Sequence, residues 1–429
     1  MNTKVGLIAP FSFLRKNYRF SDYEPLHQLM VKNYSNHPLR RPNVSLLTLA
    51  QYLNGDYEIE YQDEQYQEID FEKKYDIVAI SIMTVNAYRG YEIADEFRKR
   101  GSHVIIGGIH ATLCPREVKE HSDTVVAGEG EEAWQQFLLD FKQGHPKAFY
   151  QGGEMNLDES PMPRYDLVPD EWFNSSLFKK PVYTFQYSRG CPHRCSFCSS
   201  SKAYGPKYRT KSPDRYLKEI EYAARRSNGN CITFFADDDL TIKKKPTTEL
   251  LNRMADYRIE WIGCADIAIA NDDALLKSIQ KSGCRGVIMG LESLDATNLQ
   301  NIDPFKANYF KNYDDSIHKI MDAGIPIFGS FIVGFDEDNP ETFERIYNFI
   351  DKHHIPMASV SILAPLPGTS VLEQMKNQKR LLYDNFWDKC SGTYPLFKPK
   401  NMKPEDLAKG TYWIMNRLNN SQQDRAARM

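Results

Sequence analysis

The sequence predicts an α/β protein built on two parallel sheets in succession. Three observations carry that expectation. Short apolar runs alternate with amphipathic helical stretches in two blocks, residues 1–145 and 181–370. Between the blocks, residues 146–180 are rich in breakers (Gly152-Gly153, Pro161, Pro163, Pro169) and read as a linker. The chain has 429 residues, too many for one ordinary core.

In the first block, residues 5–9, 76–83, 104–106 and 124–127 read as buried strands. Residues 45–53, 87–99 and 131–142 have helical apolar spacing, and Gly101 follows the second of these as a C-terminal stop. This is the pattern of a doubly wound parallel sheet, which takes ligands at the carboxyl ends of its strands. In the second block, strands are expected at residues 182–187, 232–236, 261–265, 286–290, 327–333 and 358–363. Helices are expected at 214–226, 272–282, 313–322 and 341–353. Six β/α units fit an open partial (β/α)6 barrel better than a closed eight-stranded one. Residues 371–429 form a mixed C-terminal extension with a helix at 404–418.

Composition narrows the function. Hydrophobic residues make up 41% and charged residues 26%, as in ordinary globular proteins. A net charge of −3 leaves no polyanion footprint, so nucleic acid is not an expected partner. No run of 18 apolar residues occurs, so no transmembrane segment is expected. The apolar start of the chain reads as a first strand rather than a signal peptide. Of eight cysteines, three fall within eight residues, and Cys114, Cys231, Cys264, Cys284 and Cys390 are scattered. That usage suits one metal site in a reducing cytoplasm, not a disulfide scaffold.

The clustered cysteines are Cys191, Cys195 and Cys198, spaced C-x3-C-x2-C just after an expected strand, with Phe197 before the third. Iron–sulfur clusters are held by thiolates on such short loops. A structural zinc site would want a fourth Cys or His close by. The nearest is His193, which lies between the first two cysteines. A cluster is therefore the favoured reading.

Over residues 180–370 these features resemble the radical SAM superfamily. The resemblance implies a [4Fe–4S] cluster on the three cysteines, with S-adenosyl-L-methionine (SAM) chelated by the iron that has no protein ligand. Reductive cleavage would then give a 5′-deoxyadenosyl radical. It further implies Phe197 near the adenine, Asp237 and Asp238 after the second strand near the SAM amino group, and Glu292 near the ribose or methionine. Ser330 and Gly334 fall on the adenine side. The residues alone leave other readings open. The Asp237–Asp239 run could be a solvated strand end, Glu292 a helix-cap partner and Gly334 turn chemistry.

In the first block, Ser81 and Thr84 follow one strand, Gly107, Gly108 and His110 the next, and Gly128 and Glu129 the one after. Glycines let a backbone approach a ligand, and three such loops on one sheet edge describe a pocket. Over residues 4–145 they resemble the Rossmann-like cobalamin-binding domain found ahead of the barrel in the B12-binding radical SAM family. The D-x-H-x-x-G motif that supplies a cobalt ligand elsewhere is missing. The resemblance therefore implies a base-off corrinoid with no protein histidine. His110 is the one histidine near the pocket, either toward the cofactor or satisfied within its own loop. The Pro365-Leu366-Pro367-Gly368-Thr369 turn and its extension resemble one branch of the family, which includes methylases. The turn is either a structural cap or a substrate contact.

The function this implies is a cobalamin-dependent radical SAM methyltransferase. It would act on an unactivated carbon of a small-molecule or lipid-like substrate, through the 5′-deoxyadenosyl radical and methylcobalamin. The alternative keeps both cofactors but runs a non-methylating reaction: cyclisation, oxygen insertion, carbon–carbon coupling or atom exchange. A flavodoxin- or ferredoxin-type electron donor is implied. No residue pattern marks a catalytic acid or base, or identifies the substrate.

Overall fold

The computed structural model describes residues 2–15, 18–35 and 41–426. The chain divides into two compact units. One comprises residues 1–19, 38–179 and 202–204; the other comprises 20–37, 180–201 and 205–429.

The first unit is a six-stranded sheet: β1 (Thr3–Ala9), β2 (Tyr57–Asp63), β3 (Ile77–Ser81), β4 (His103–Gly107), β5 (Thr124–Ala127) and β6 (Phe149–Gln151). The spatial order is β2-β1-β3-β4-β5-β6, and every neighbouring pair is parallel. Alternate residues face opposite sides of a strand. Ile8, Val78, Ile80, Val104 and Ile106 meet Ala87, Tyr91, Ala94 and Phe97 of the helix Ala87–Lys99. The helices Val44–Leu49 and Gly130–Lys142 also pack on this unit, with a hypothetical Cβ on Gly130 3.6 Å from the Leu49 methyls. Each fully buried aliphatic or Phe side chain contributes about 1.5–3 kcal/mol.

Two of these strands are not foreseen in the sequence. β2 carries Glu58, Glu60 and Gln62 at alternate positions and forms a partly exposed sheet edge, so it lacks a continuous apolar run. β6 lies inside residues 146–180, pairs with β5 from Val125↔Phe149, and is only three residues long.

The second unit opens with β7 (Val182–Phe185). A short antiparallel pair follows, β8 (Ser188–Arg189) with β9 (Arg209–Thr210). Then come β10 (Ile232–Phe235), β11 (Glu260–Cys264), β12 (Cys284–Glu292), β13 (Ile327–Val333) and β14 (Met357–Ile362). The order β14-β13-β12-β11-β10-β7 follows the chain, and every pair is parallel. This is the six-unit parallel βα arrangement expected of the second block. In β13 burial alternates strictly, with Phe331 and Val333 buried and Ser330 half-buried on the opposite face. A helix the sequence reading did not foresee, Glu24–Ser35, belongs to this unit. The helix Pro404–Ala426 packs on β14 through a face that includes Leu407, Ile414 and Leu418 and runs beyond the expected end at 418. Among the described residues, no helix is long and apolar enough to cross a membrane.

Candidate cofactor sites

The loop after β8 carries the three cysteines, and buried side chains fix where it starts. Asp237, just beyond β10, accepts from the Tyr187 backbone N–H at 3.2 Å and from both the backbone N–H and the hydroxyl of Ser188. Burial pushes its carboxyl up to about 7, against those hydrogen bonds. Close by, Lys211 pairs with buried Glu219 at 2.6 Å, and its own N–H donates to Tyr187 O at 2.8 Å. Gly190 has φ +87°, and a Cβ there would stand 2.4 Å from Lys207 O. Only glycine fits immediately before Cys191.

The middle of the loop is gripped from two sides. Ser196 donates its N–H to Ile302 O at 3.0 Å. Its carbonyl accepts from Val371 N–H at 3.2 Å and from the Ser370 hydroxyl at 3.1 Å. Ser370 and Val371 open the helix Ser370–Asn377, capped by Thr369 of the Pro-Leu-Pro-Gly-Thr turn. That turn therefore sets a helix start against the cysteine loop.

All eight cysteines are free. Burial pushes Cys191 up to about 12 and Cys195 well above the ordinary thiol range. Such thiols become ligands when a metal replaces their protons. Two groups of side chains converge on a point among the described residues, His110 with Cys114 and Glu117, and His193 with Asp239 and Asp266. The three clustered sulfurs do not converge in this way.

The remaining residues expected near SAM follow the next strands. Asp239 accepts from the Thr241 N–H and hydroxyl, both at 2.7 Å, and burial raises it to about 7. Asp238 is exposed. β12 shifts register against β13 between Gly290 and Glu292. Glu292 has φ +60° and meets Lys306 at 2.6 Å. Lys306 also donates to Gly290 O at 3.0 Å. A Cβ on Gly290 would lie 2.2 Å from the Glu292 carboxylate, so any side chain there would push the carboxylate and the Lys306 ammonium aside. Gly334 has φ +103°, and Asp338 accepts from its N–H at 2.8 Å and from Phe335 N–H at 3.0 Å. Phe197 faces Phe335 with ring centroids 6.3 Å apart. Nε2 of His193 is buried without a hydrogen-bond partner, an open donor or acceptor that a polar cofactor would satisfy. Asp237 is thus occupied in holding the loop, not presented to a ligand. Lys306 was missed in the sequence because it meets Glu292 only through the fold, and Asp338 because its bonds to the Gly334 and Phe335 N–H groups close a local turn with no apolar pattern.

At the carboxyl edge of the first sheet, most of the expected residues hold the loops to each other. His110 is fully buried, with Nδ1 3.3 Å from the Thr84 hydroxyl and Nε2 3.1 Å from the Tyr91 hydroxyl. The Tyr91 hydroxyl donates to Glu117 at 2.9 Å. The ring is turned into its own unit and is not poised to ligate cobalt. A Cβ on Gly108 (φ +103°) would stand 2.5 Å from Ile82 O. Gly128 (φ +82°) would come equally close to Gly152 O, at 2.4 Å. Buried Glu129 accepts from Met155 N–H. Ser81 and Gly107 are half-buried at the edge. Beside them Met83, missed in the sequence, is 61% exposed. The buried indole N–H of Trp134, in the helix after β5, has no hydrogen-bond partner. The edge therefore fits a corrinoid held by surface and backbone, with no histidine ligand.

Comparison with known proteins gives the same picture. Residues 185–350 match the radical SAM superfamily, and residues 40–138 match the B12 binding domain. The chain is 30% identical over 373 residues to the bacteriochlorophyllide d C-12(1)-methyltransferase of Chlorobaculum tepidum, covering 85% of this chain and 79% of that one. It is 25% identical over 358 residues to the hopanoid C-2 methylase of Rhodopseudomonas palustris, covering 80% and 66%. Among solved structures, the radical S-adenosylmethionine methyltransferase TsrM from Kitasatospora setae, with cobalamin and a [4Fe–4S] cluster bound, shares the fold. The TM-score is 0.67 at 16% identity, over 88% of this chain and 75% of that chain. With the cysteine loop and the sheet edge in place and a methyltransferase relative 30% identical over most of both chains, this chain belongs to the radical SAM superfamily, among the members that carry a B12-binding domain ahead of the barrel.

Proposed function

We propose that the chain is a methyltransferase that adds a methyl group to an unactivated carbon of a large, apolar small molecule. The observation that carries this is one chain holding both cofactor domains, 30% identical to a methyltransferase over most of its length. The relatives are named for methylating a bacteriochlorophyllide and a hopanoid, both large multi-ring molecules, which supports a large ring-system substrate.

When bound, the cluster, SAM and cobalamin supply radical generation and a transferable methyl group. The protein's own residues bind and orient them. Cys191, Cys195 and Cys198 hold the iron. Glu292 and Lys306, a carboxylate beside an ammonium, match in charge the amino and carboxylate ends of the SAM methionine. Phe197, Ser330 and Gly334 border the adenine. Ser81, Met83 and Gly107 meet the corrinoid. A flavodoxin- or ferredoxin-type protein delivers the electrons, in a reducing cytoplasm that keeps the thiols free.

The test is a product count. Anaerobic enzyme with both cofactors, SAM, reductant and a panel of apolar ring substrates should release S-adenosylhomocysteine and 5′-deoxyadenosine in equal amounts, with the methyl group on the substrate. 5′-Deoxyadenosine with an altered but unmethylated substrate would establish a non-methylating radical reaction instead.

A further inference from the structure

Asp303 caps the helix Pro304–Phe310, and its Oδ1 accepts from the Phe305 N–H at 2.9 Å. Capping needs only one of its two oxygens. The other, Oδ2, accepts from the Cys195 thiol, with Sγ at 3.6 Å, and lies 3.4 Å from Nδ1 of His193, so a carboxylate stays beside this sulfur when iron replaces the thiol's proton. The carboxyl is 6% exposed. The same segment touches the cysteine loop twice more. Ile302 O receives the Ser196 N–H at 3.0 Å, and the Phe305 ring lies 4.6 Å from that of His193. Asp295 is a useful contrast. It caps the preceding helix Ala296–Ile302 through the Asn298 N–H at 2.9 Å, yet it is only half-buried and has no recorded contact with the cysteine loop. Capping alone therefore does not require a carboxylate buried against a ligand sulfur, where desolvation is costly.

We infer that Asp303 is a positioning residue for the cluster: it orients His193 within the loop and sets a negative charge beside the Cys195 sulfur that lowers the cluster's reduction potential. The charge around a cluster, hydrogen bonds to its sulfurs and solvent exposure set its potential, and a buried charge is weakly screened. A carboxylate at this distance disfavours the extra electron. The electron comes from the donor protein, and no bond is made or broken at Asp303. The inference rests on the cluster assignment.

The experiment is an EPR-monitored redox titration of the anaerobically reconstituted full-length protein, comparing wild type with Asp303→Asn, Asp303→Ser and Asp295→Asn. Asparagine and serine both keep the helix cap and remove the charge. The expected result is wild-type iron content with a midpoint potential shifted positive in both Asp303 variants and unmoved in Asp295→Asn. Asp303 variants titrating at the wild-type midpoint would overturn the inference. So would an equal shift in Asp295→Asn, or loss of iron from both Asp303 variants, which would make the residue a plain structural support. A wild-type protein that takes up no iron would defeat the cluster assignment itself, a separate failure.

Discussion

The cysteine loop of the second unit is held by hydrogen bonds that buried side chains and backbone share, whereas the carboxyl edge of the first sheet is held by close backbone passages at glycines and by the inward-turned His110. Around the cysteines, Asp237, Asp303, Ser370 and the Cys195 thiol each make a specific contact. At the sheet edge, Gly108 and Gly128 let loops pass where any Cβ would collide, and His110 turns inward to Thr84 and Tyr91. The first arrangement binds by chemistry, thiolate to iron. The second offers glycine-shaped loops, a sheet edge and the exposed Met83 side chain. Substitutions should therefore fail abruptly in one region and gradually in the other.

The largest effect is expected from Cys198→Ala. It removes one of three thiolates, so the cluster is lost or unstable and SAM cleavage falls to background, read as iron content and 5′-deoxyadenosine yield. Next is Gly290→Ala, whose new methyl would collide with the Glu292 carboxylate. Overpacking of this kind costs about 1–3 kcal/mol. Thermal melts and SAM affinity should both drop, and Glu292→Gln should lower SAM affinity as well; a Glu292→Gln protein with wild-type SAM affinity would remove the pair from the binding site.

Asp237→Asn tests the base of the loop. An amide N–H in place of a carboxylate oxygen leaves a buried donor facing the Ser188 or Tyr187 donors, at a cost of about 1–3 kcal/mol. The pH dependence has a definite sign. Asp237 is raised in the folded protein from 3.8 to about 7, so the folded state holds the proton more tightly than the unfolded state. The stability this gives is present below pH 3.8 and is lost as pH rises toward 7. In the cluster-free protein, the advantage of wild type over Asp237→Asn should thus shrink across that window. An advantage that grew with pH would show the carboxylate is held ionised.

At the first sheet's edge, His110→Phe should lower stability by about 1–3 kcal/mol by taking the imidazole from the buried Thr84 hydroxyl and leaving Tyr91 with Glu117 alone. It should leave the EPR spectrum of bound cob(II)alamin unchanged, with no axial nitrogen splitting before or after. Nitrogen splitting in wild type that vanished in the variant would make His110 a ligand after all. The smallest effect belongs to Met83→Ser. Stability should stay within about 0.5 kcal/mol, as for exposed positions, while corrinoid affinity falls by about tenfold or less.

The same contrast explains what the sequence discloses. Buried parallel strands such as β3 and β13 are continuous apolar runs, and three cysteines in eight residues have few other uses, so both are legible. β2 escapes because an edge strand needs no apolar run. Lys306 stands fourteen residues beyond Glu292, and Asp303 is far from Cys195 in sequence, so no spacing rule joins them. Met83 looks like one more core residue, because exposure is not written in residue type. His110 has the chemistry of a ligand, and only the packing around it shows that it faces inward.

The most direct test of the central claim, one chain carrying both cofactors, is metal analysis of protein purified anaerobically with hydroxocobalamin and reconstituted with iron and sulfide. About four irons and about one cobalt per chain are predicted, as a single cluster and a single corrinoid require. Iron without cobalt would contradict the account: the cysteine loop would stand, but the sheet edge would lose its corrinoid and the methyl transfer its carrier.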